Sequence, residues 1–405
     1  MTAATSPLRH VAFRWLLAAR TMALLGNAVA PVALAFAVLD LTGSVTDLGV
    51  VVAARSVTNV ALLLMGGVLA DRMSRRTLLV GASWVAGLTQ AVVAALVLTG
   101  TATVTTLAVL SAINGAAAAL SFPASVALTP QTVPTNVLVP ANALIRLGVT
   151  TATITGAAAG GVLVAAVGPG WGLALDAATF ALSGLLFARL RVQQPSTDRS
   201  ATTVLSDLRA GWSEFVARSW VWVVVLQFGV VNAAFVGSVT VLGPAVADTT
   251  IGRAGWGLVL AVQSAGLVAG ALLALRWPAQ RALRRGVGLT LLSALPPLAL
   301  AGQAPVAVLA AAAFLAGVGI EQFTIAWDIS LQQHVPPQAL ARVYSYDAVG
   351  SFIAIPLGEV AVGPLAASTG TSTTLIGCAA VITAATLLAL GNTNVRQLRT
   401  THPPR

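Results

Sequence analysis

The sequence predicts an all-α integral membrane protein: twelve transmembrane helices in two pseudo-symmetric six-helix bundles. Three observations lead there. Apolar runs recur along the chain, each near the ~20 residues that cross a bilayer as a helix. Hydrophobic residues make up 57% of the chain and charged residues 8%, where a soluble domain carries about a quarter charged. The 22 basic residues are all arginine, and most fall in alternate connections between the runs.

The spans are expected at 13–39, 46–70, 77–99, 102–128, 140–167, 170–188, 219–246, 255–275, 286–302, 305–331, 343–367 and 371–391. The first follows basic residues, as a signal peptide would. It is too long for a cleaved apolar region and similar spans follow, so it is read as retained. Spans 2 and 3 are parted by the charged string GVLADRMSRR. Spans 5/6, 9/10 and 11/12 are parted mainly by Gly-Pro or Gly-Gln punctuation. Pro and Gly inside spans are tolerated because neighbouring helices satisfy the freed backbone groups.

With both termini cytoplasmic, 18 of the 22 arginines fall inside. They lie before span 1, in the 2/3, 6/7, 8/9 and 10/11 connections, and in the tail. Only Arg253 falls outside, and Arg20, Arg55 and Arg146 lie within spans. This asymmetry is the positive-inside rule applied to a whole chain. It predicts a multi-pass protein of the cell membrane with N and C termini in the cytoplasm. The net charge of +10 therefore serves topology and not nucleic-acid binding. The single Cys378 excludes an internal disulfide.

The longest polar stretch, 190–218, divides the chain into an N-terminal bundle (1–189), a cytoplasmic linker (190–218) and a C-terminal bundle with tail (219–405). The linker is expected to end in an amphipathic helix opening at Ser206, with Leu208, Trp212, Phe215 and Val216 on one face. The halves also repeat. Sliding the chain by 202 residues pairs Gly115 with Gly317, Gln131 with Gln333, Pro134 with Pro336, Gly148 with Gly350 and Gly161 with Gly363. Two such halves predict a substrate site between them near the midplane.

Gly67, Asp71, Arg72, Arg75 and Arg76, between spans 2 and 3, match the signature motif of the major facilitator superfamily, which the chain resembles over essentially its whole length. Ser74 stands where that pattern often has glycine. FRWLLAARTMALLGN in span 1, AGWSEFVAR before span 7 and the stretch from Trp327 to Gly358 resemble the branch of macrolide and siderophore exporters. The resemblance implies a rocker-switch secondary transporter that exports a hydrophobic small molecule, such as a drug, antibiotic or siderophore, by proton antiport. It also implies that Asp71 pairs with charges on the neighbouring half and latches the outward-facing state, with Arg72, Arg75 and Arg76 contributing. Span 5 departs from the family's antiporter motif: Gly156-Ala157-Ala158-Ala159-Gly160-Gly161 carries no proline. The alternatives are proton-independent uptake or facilitated diffusion, or a non-transporting receptor of the same fold.

Charges inside spans cost several kcal/mol unless paired or wet, so each is a functional candidate. Glu321, near the middle of span 10, is the expected proton-coupling carboxylate, with Glu359 in span 11 as runner-up; the bland alternative for Glu321 is a structural partner for a buried cation. Asp328, Arg342 and Asp347, near the inner ends of spans 10 and 11, are expected to form a gate or latch. Arg55 and the amides Asn27, Asn59, Asn114, Gln227, Asn232, Gln263 and Gln322 are the substrate-cavity candidates. Each amide could equally be interhelical glue worth ~0.6 kcal/mol. Arg20, Arg55 and Arg146 could bind an anion, neutralise Glu321 or Asp176, or snorkel.

Enzyme chemistry is not expected. A chain without lysine has no phosphate-loop lysine, and His10, His334 and His402 lack metal-ligand spacing. The expected partners are a small-molecule substrate, protons and the lipid bilayer, with no nucleic acid, no cofactor, no metal and a monomeric state.

Overall fold

Helices account for nearly all of the described backbone, and several of their breaks fall at glycine or proline. The computed structural model describes residues 6–72, 74–191, 212–213, 215–276 and 280–399; the side chains of 63–72, 122, 123, 126, 127, 135, 139, 337, 338, 341, 342 and 345 are outside that description. The first long helices are α1 (Val11–Thr42), α2 (Val45–Arg72), α3 (Arg75–Leu98), α4 (Val104–Thr132), α5 (Leu138–Val167) and α6 (Pro169–Ala188). Then follow α7 (Ser219–Val236), α8 (Gly243–Thr249), α9 (Gly252–Arg276), α10 (Ala282–Leu289) and α11 (Leu295–Ala301). The chain closes with α12 (Val306–His334), α13 (Pro337–Phe352), α14 (Ile355–Thr369), α15 (Thr371–Gly391) and α16 (Thr393–Gln397).

Among the described residues, eleven helical stretches are long and apolar enough to cross a membrane. The remaining expected span, 286–302, is helical but interrupted. A 3₁₀ stretch, Thr290–Ala294, separates α10 from α11. Pro296 and Pro297 sit in the first turn of α11; neither has an N–H to donate backwards, so a continuous α-helical ladder cannot pass through them. The π turn Gly237–Leu242 between α7 and α8 precedes Pro244. Its wider spacing admits the proline ring without ending the span.

Local chemistry sets the helix starts. Ser74, the residue that departs from the signature, caps α3 by accepting from the Thr77 N–H at 3.0 Å. Its φ of −64° needs no glycine, and a serine N-cap stabilises by about 1 kcal/mol. Thr103 and Thr106 form a reciprocal capping box at α4.

The chain forms two compact units, one of Met1–Asp198 with Gly252–Ala261, the other of Arg199–Ile251 with Val262–Arg405. In the first, α2 packs on α4, α3 on α6, and α1 on both α5 and α6; Asp40 and Arg253 form an ion pair there. In the second, α7 packs on α13, α14 and α15, and α10 on α12.

Both units use the same glycine contacts. A Cβ on Gly115 would overlap the backbone carbonyl of Arg55, so α4 seats directly on α2. At the equivalent place in the repeat, a Cβ on Gly317 would overlap the carbonyl of Gln263, seating α12 on α9. Gly156 meets the Leu25 carbonyl on α1, and Gly358, 202 positions later, meets that of Ala233 on α7. Close backbone approach through small residues is how membrane helices gain packing energy when lipid is as apolar as they are. The joints repeat too: Gly168 between α5 and α6 has φ +93°, and Gly370 between α14 and α15 has φ +90°. Only glycine adopts that conformation without strain.

The outer surface carries exposed Leu88, Leu226, Leu275 and Leu388, as suits a protein whose solvent is lipid. Each unit also has its own apolar core: Phe13, Leu16, Leu79, Leu128 and Phe187 in the first, and Trp220, Val224, Leu283, Phe323, Trp327 and Leu331 in the second.

Candidate functional site

The six long helices of the first unit line a half-open cavity of about 400 Å³. Helical periodicity dictates the lining. Arg20, Ala23, Leu24 and Asn27 lie at i, i+3, i+4 and i+7 on α1; Leu79, Ala82, Ser83 and Ala86 follow the same spacing on α3; so do Asn114, Ala117, Ala118 and Ser121 on α4. Each set is one face of its helix. Arg55 of α2, Val149 of α5, and Phe180 and Phe187 of α6 complete most of the wall. It is an apolar chamber with a few polar groups converging on it, the usual character of a small-molecule site.

Arg55 is the anchor of its polar side. Its Nη2 donates to Asn27 Oδ1 at 2.8 Å and its Nε to Asn114 Oδ1 at 3.2 Å. The Asn114 amide nitrogen lies 3.4 Å from Thr89 Oγ1 on α3. A guanidinium from α2 is thus oriented by amide oxygens of α1 and α4. Behind this wall Asp176 of α6 is 1% exposed and accepts from Gln90 Nε2 of α3.

Of the expected cavity residues, Asn27, Arg55 and Asn114 come together here. Asn59 instead donates to the Gly115 carbonyl at 3.3 Å, bridging α2 and α4. The other amides lie in the second unit. Gln227, 4% exposed, donates to Thr290 at 3.1 Å and Thr386 at 3.3 Å. Asn232 donates to the Ser351 carbonyl at 2.9 Å, and Gln322 to the Gly270 carbonyl at 2.6 Å. Gln263 is half-buried on α9.

Glu321 is half-buried on α12, where that helix meets Gly270 of α9. Glu359 on α14 is 2% exposed. Asp328 accepts from the Tyr344 hydroxyl at 3.0 Å. Asp347 accepts from Trp327 Nε1 and from Ser351 Oγ, both at 2.9 Å. These two carboxylates therefore tie α12 to α13. In the signature string, Arg76 of α3 donates to the backbone carbonyl of Ala188 at the end of α6, and Arg75 is half-buried. The side chains of Gly67, Asp71, Arg72 and Arg342 lie outside the described residues. So does most of the expected linker helix, although Phe215 is buried and stacks on Trp212 at 5.8 Å.

Sequence reasoning named Arg20 only as one of three in-span arginines and passed over Gln90, Ser83, Phe180 and Phe187. The repeated i, i+3, i+4, i+7 faces were the signal that could have gathered them. Among the described residues no group of His, Cys, Asp and Glu is arranged to hold a metal.

Comparison with solved structures gives the same architecture. The nucleoside transporter NupG superposes with a TM-score of 0.76 at 12% identity, over 96% of this chain and 100% of that one. A bacterial homolog of the human lysosomal transporter Spinster gives 0.75 at 16% identity, over 96% and 98%. A D-xylose-proton symporter gives 0.69 at 15% identity, over 94% and 97%. No curated protein sequence matches the chain. The family model of the Major Facilitator Superfamily matches residues 16–359. The chain is therefore a multi-pass membrane protein belonging to the Major Facilitator Superfamily, a transporter and not an enzyme.

Proposed function

We propose that this transporter exports a hydrophobic small molecule from the cytoplasm in exchange for protons, as a monomer in the cell membrane with both termini cytoplasmic. The observation that carries the reading is the mainly apolar chamber of about 400 Å³ in the first unit, with Arg55 fixed in its wall. That volume falls within the ~300–1,000 Å³ of small-molecule pockets. Glu321 is the group proposed to gain and lose the proton, with Glu359 as the reserve. Asp71 with Arg72, Arg75 and Arg76, and Asp328 and Asp347 with Arg342, are proposed as the two latches that the transport cycle makes and breaks.

A second reading, proton-linked or proton-independent uptake, is favoured by one observation. Helix α5 runs unbroken through Gly156–Gly161, without the proline of the exporter motif. The nucleoside transporter and the D-xylose-proton symporter among the similar structures fit that reading as well.

The test is proton release from everted membrane vesicles with an acidified interior, followed with an internal pH dye. Macrolides, other lipophilic drugs and siderophores are added in turn. Release that requires both the compound and the protein supports antiport. Absence of release across the panel, with insertion of the protein verified, turns the reading towards uptake.

A further inference from the structure

We propose that the first-unit chamber selects an elongated aromatic compound carrying a carbonyl-type oxygen at each end. The Asn27 amide nitrogen receives one oxygen, and Arg20 and Ser83 together receive the other. This rests on the small-molecule transport reading and gives it a substrate class. What decides the class is hydrogen-bonding capacity and not net charge. The amide oxygens of Asn27 and Asn114 are engaged by Arg55, and no Asp or Glu is among the described residues lining the chamber. Donors with no hydrogen-bond partner among the described residues remain on Asn27 Nδ2, Arg20, Ser83 and Ser125. Ser83 is 5% exposed, and it lacks the bond to the preceding turn that Ser121 makes with the Ala117 carbonyl at 2.7 Å. A buried donor left without a partner is costly, so a ligand that brings acceptors is favoured.

The donors stand in two tiers. Asn27, Arg55, Asn114 and Thr89 are linked by hydrogen bonds across α1, α2, α4 and α3, which sets one level. Connections of two residues join α1 to α2 and α2 to α3. Such short loops join antiparallel helices, so α1 and α3 run the same way. Arg20 precedes Asn27 by seven residues, and Ser83 precedes Thr89 by six. Both therefore lie on the same side of that level, about 9–10 Å away at 1.5 Å per residue. Ser125, eleven residues past Asn114 on antiparallel α4, lies farther along that side. Between the tiers the lining is Ala23 and Leu24 on α1 and Ala86 on α3, with Phe180 and Phe187 in the wall from α6. An apolar stretch of that length, flanked by aromatic rings and bounded by donors, fits a rigid aromatic body with an acceptor at each end.

The experiment uses the full-length protein in nanodiscs, with lipid partitioning subtracted on empty nanodiscs. Tritiated 4,4′-diacetylbiphenyl is the bound probe. It is displaced by its unlabelled form, by 4-acetyl-4′-ethylbiphenyl and by 4,4′-diethylbiphenyl. These share the ring body and differ in carrying a carbonyl at both ends, at one end or at neither. The expected result is saturable binding in which each carbonyl tightens affinity about fivefold. In the double variant Arg20→Leu with Ser83→Ala, the diacetyl and monoacetyl compounds should bind alike, because a single tier remains. No described residue depends on either side chain for a hydrogen bond, so the fold does not rest on them. Absence of saturable binding would overturn the proposal, as would equal affinities for all three compounds in the native protein. So would a second carbonyl that still tightens binding in the double variant. The two readings fail separately. Proton-coupled flux without a preference for carbonyls sinks only the two-tier site; carbonyl-dependent binding without proton exchange sinks only antiport.

Discussion

The side-chain amide of Gln90 donates to the carboxylate of Asp176, tying α3 to α6 where Asp176 is 1% exposed. The other carboxylate oxygen, Oδ1, has no hydrogen-bond partner among the described residues. Gln90 is therefore the side-chain hydrogen-bond donor to this buried acidic group among the described residues.

Gln90→Leu should consequently destabilise the protein by about 1–3 kcal/mol, the usual penalty for stranding a buried polar group. The double variant Gln90→Leu with Asp176→Leu should recover much of that loss, because both partners are then apolar. Thermal unfolding in one detergent, arranged as a double-mutant cycle, measures both. An unchanged melting temperature for Gln90→Leu would show that the carboxylate draws its support elsewhere.

Glycine packing makes a second prediction with a built-in control. Gly115→Val and Gly317→Val place a side chain against a backbone carbonyl in each unit and should each cost about 1–3 kcal/mol or more. Gly377→Val should be tolerated, since nothing lies within 4 Å of its Cβ position. Equal melting temperatures for all three would contradict the seating of α4 on α2 and of α12 on α9.

Arg55 is held by two amide oxygens from different helices, a geometry that a guanidinium fork meets and an ammonium does not. Arg55→Lys keeps the charge and should still lower flux about tenfold, equivalent to about 1.4 kcal/mol in the barrier. Initial transport rates at equal expression decide it. Native rates with lysine would mean that charge alone suffices at this position.

The signature loop offers a fourth. Asp71→Asn should leave the protein folded and inserted while slowing transport, because the proposed latch needs a charge. Arg76→Ala should instead loosen the end of α6 by removing the donor to Ala188. Normal flux with Asp71→Asn would rule out the latch.

The fold was legible because each span is a run of apolar residues bounded by arginine or glycine, and local length alone decides that a run crosses the bilayer. The apolar run of the ninth span marks a crossing of the bilayer, while Pro296 and Pro297, which have no N–H to donate backwards, set the 3₁₀ interruption within it. The site was harder to read. Asn114 and Gln227 are chemically equivalent amides in apolar runs, yet one holds Arg55 at the chamber and the other bridges Thr290 and Thr386. That difference lies in helix rotation and in partners 59 to 159 residues away, which no local pattern encodes. Gly168 and Gly370 show the converse: a 202-residue repeat seen in identities returned as a shared backbone conformation.

The most direct test of proton-driven export follows the compound itself. Everted vesicles with an acid interior are given a labelled substrate, and its accumulation is measured for the native protein and for Glu321→Gln, with and without a protonophore. The account predicts accumulation by the native protein that the protonophore abolishes and Glu321→Gln cannot support. Accumulation that instead requires an acid exterior would make the protein an importer, and accumulation unaffected by Glu321→Gln would place the proton on another group.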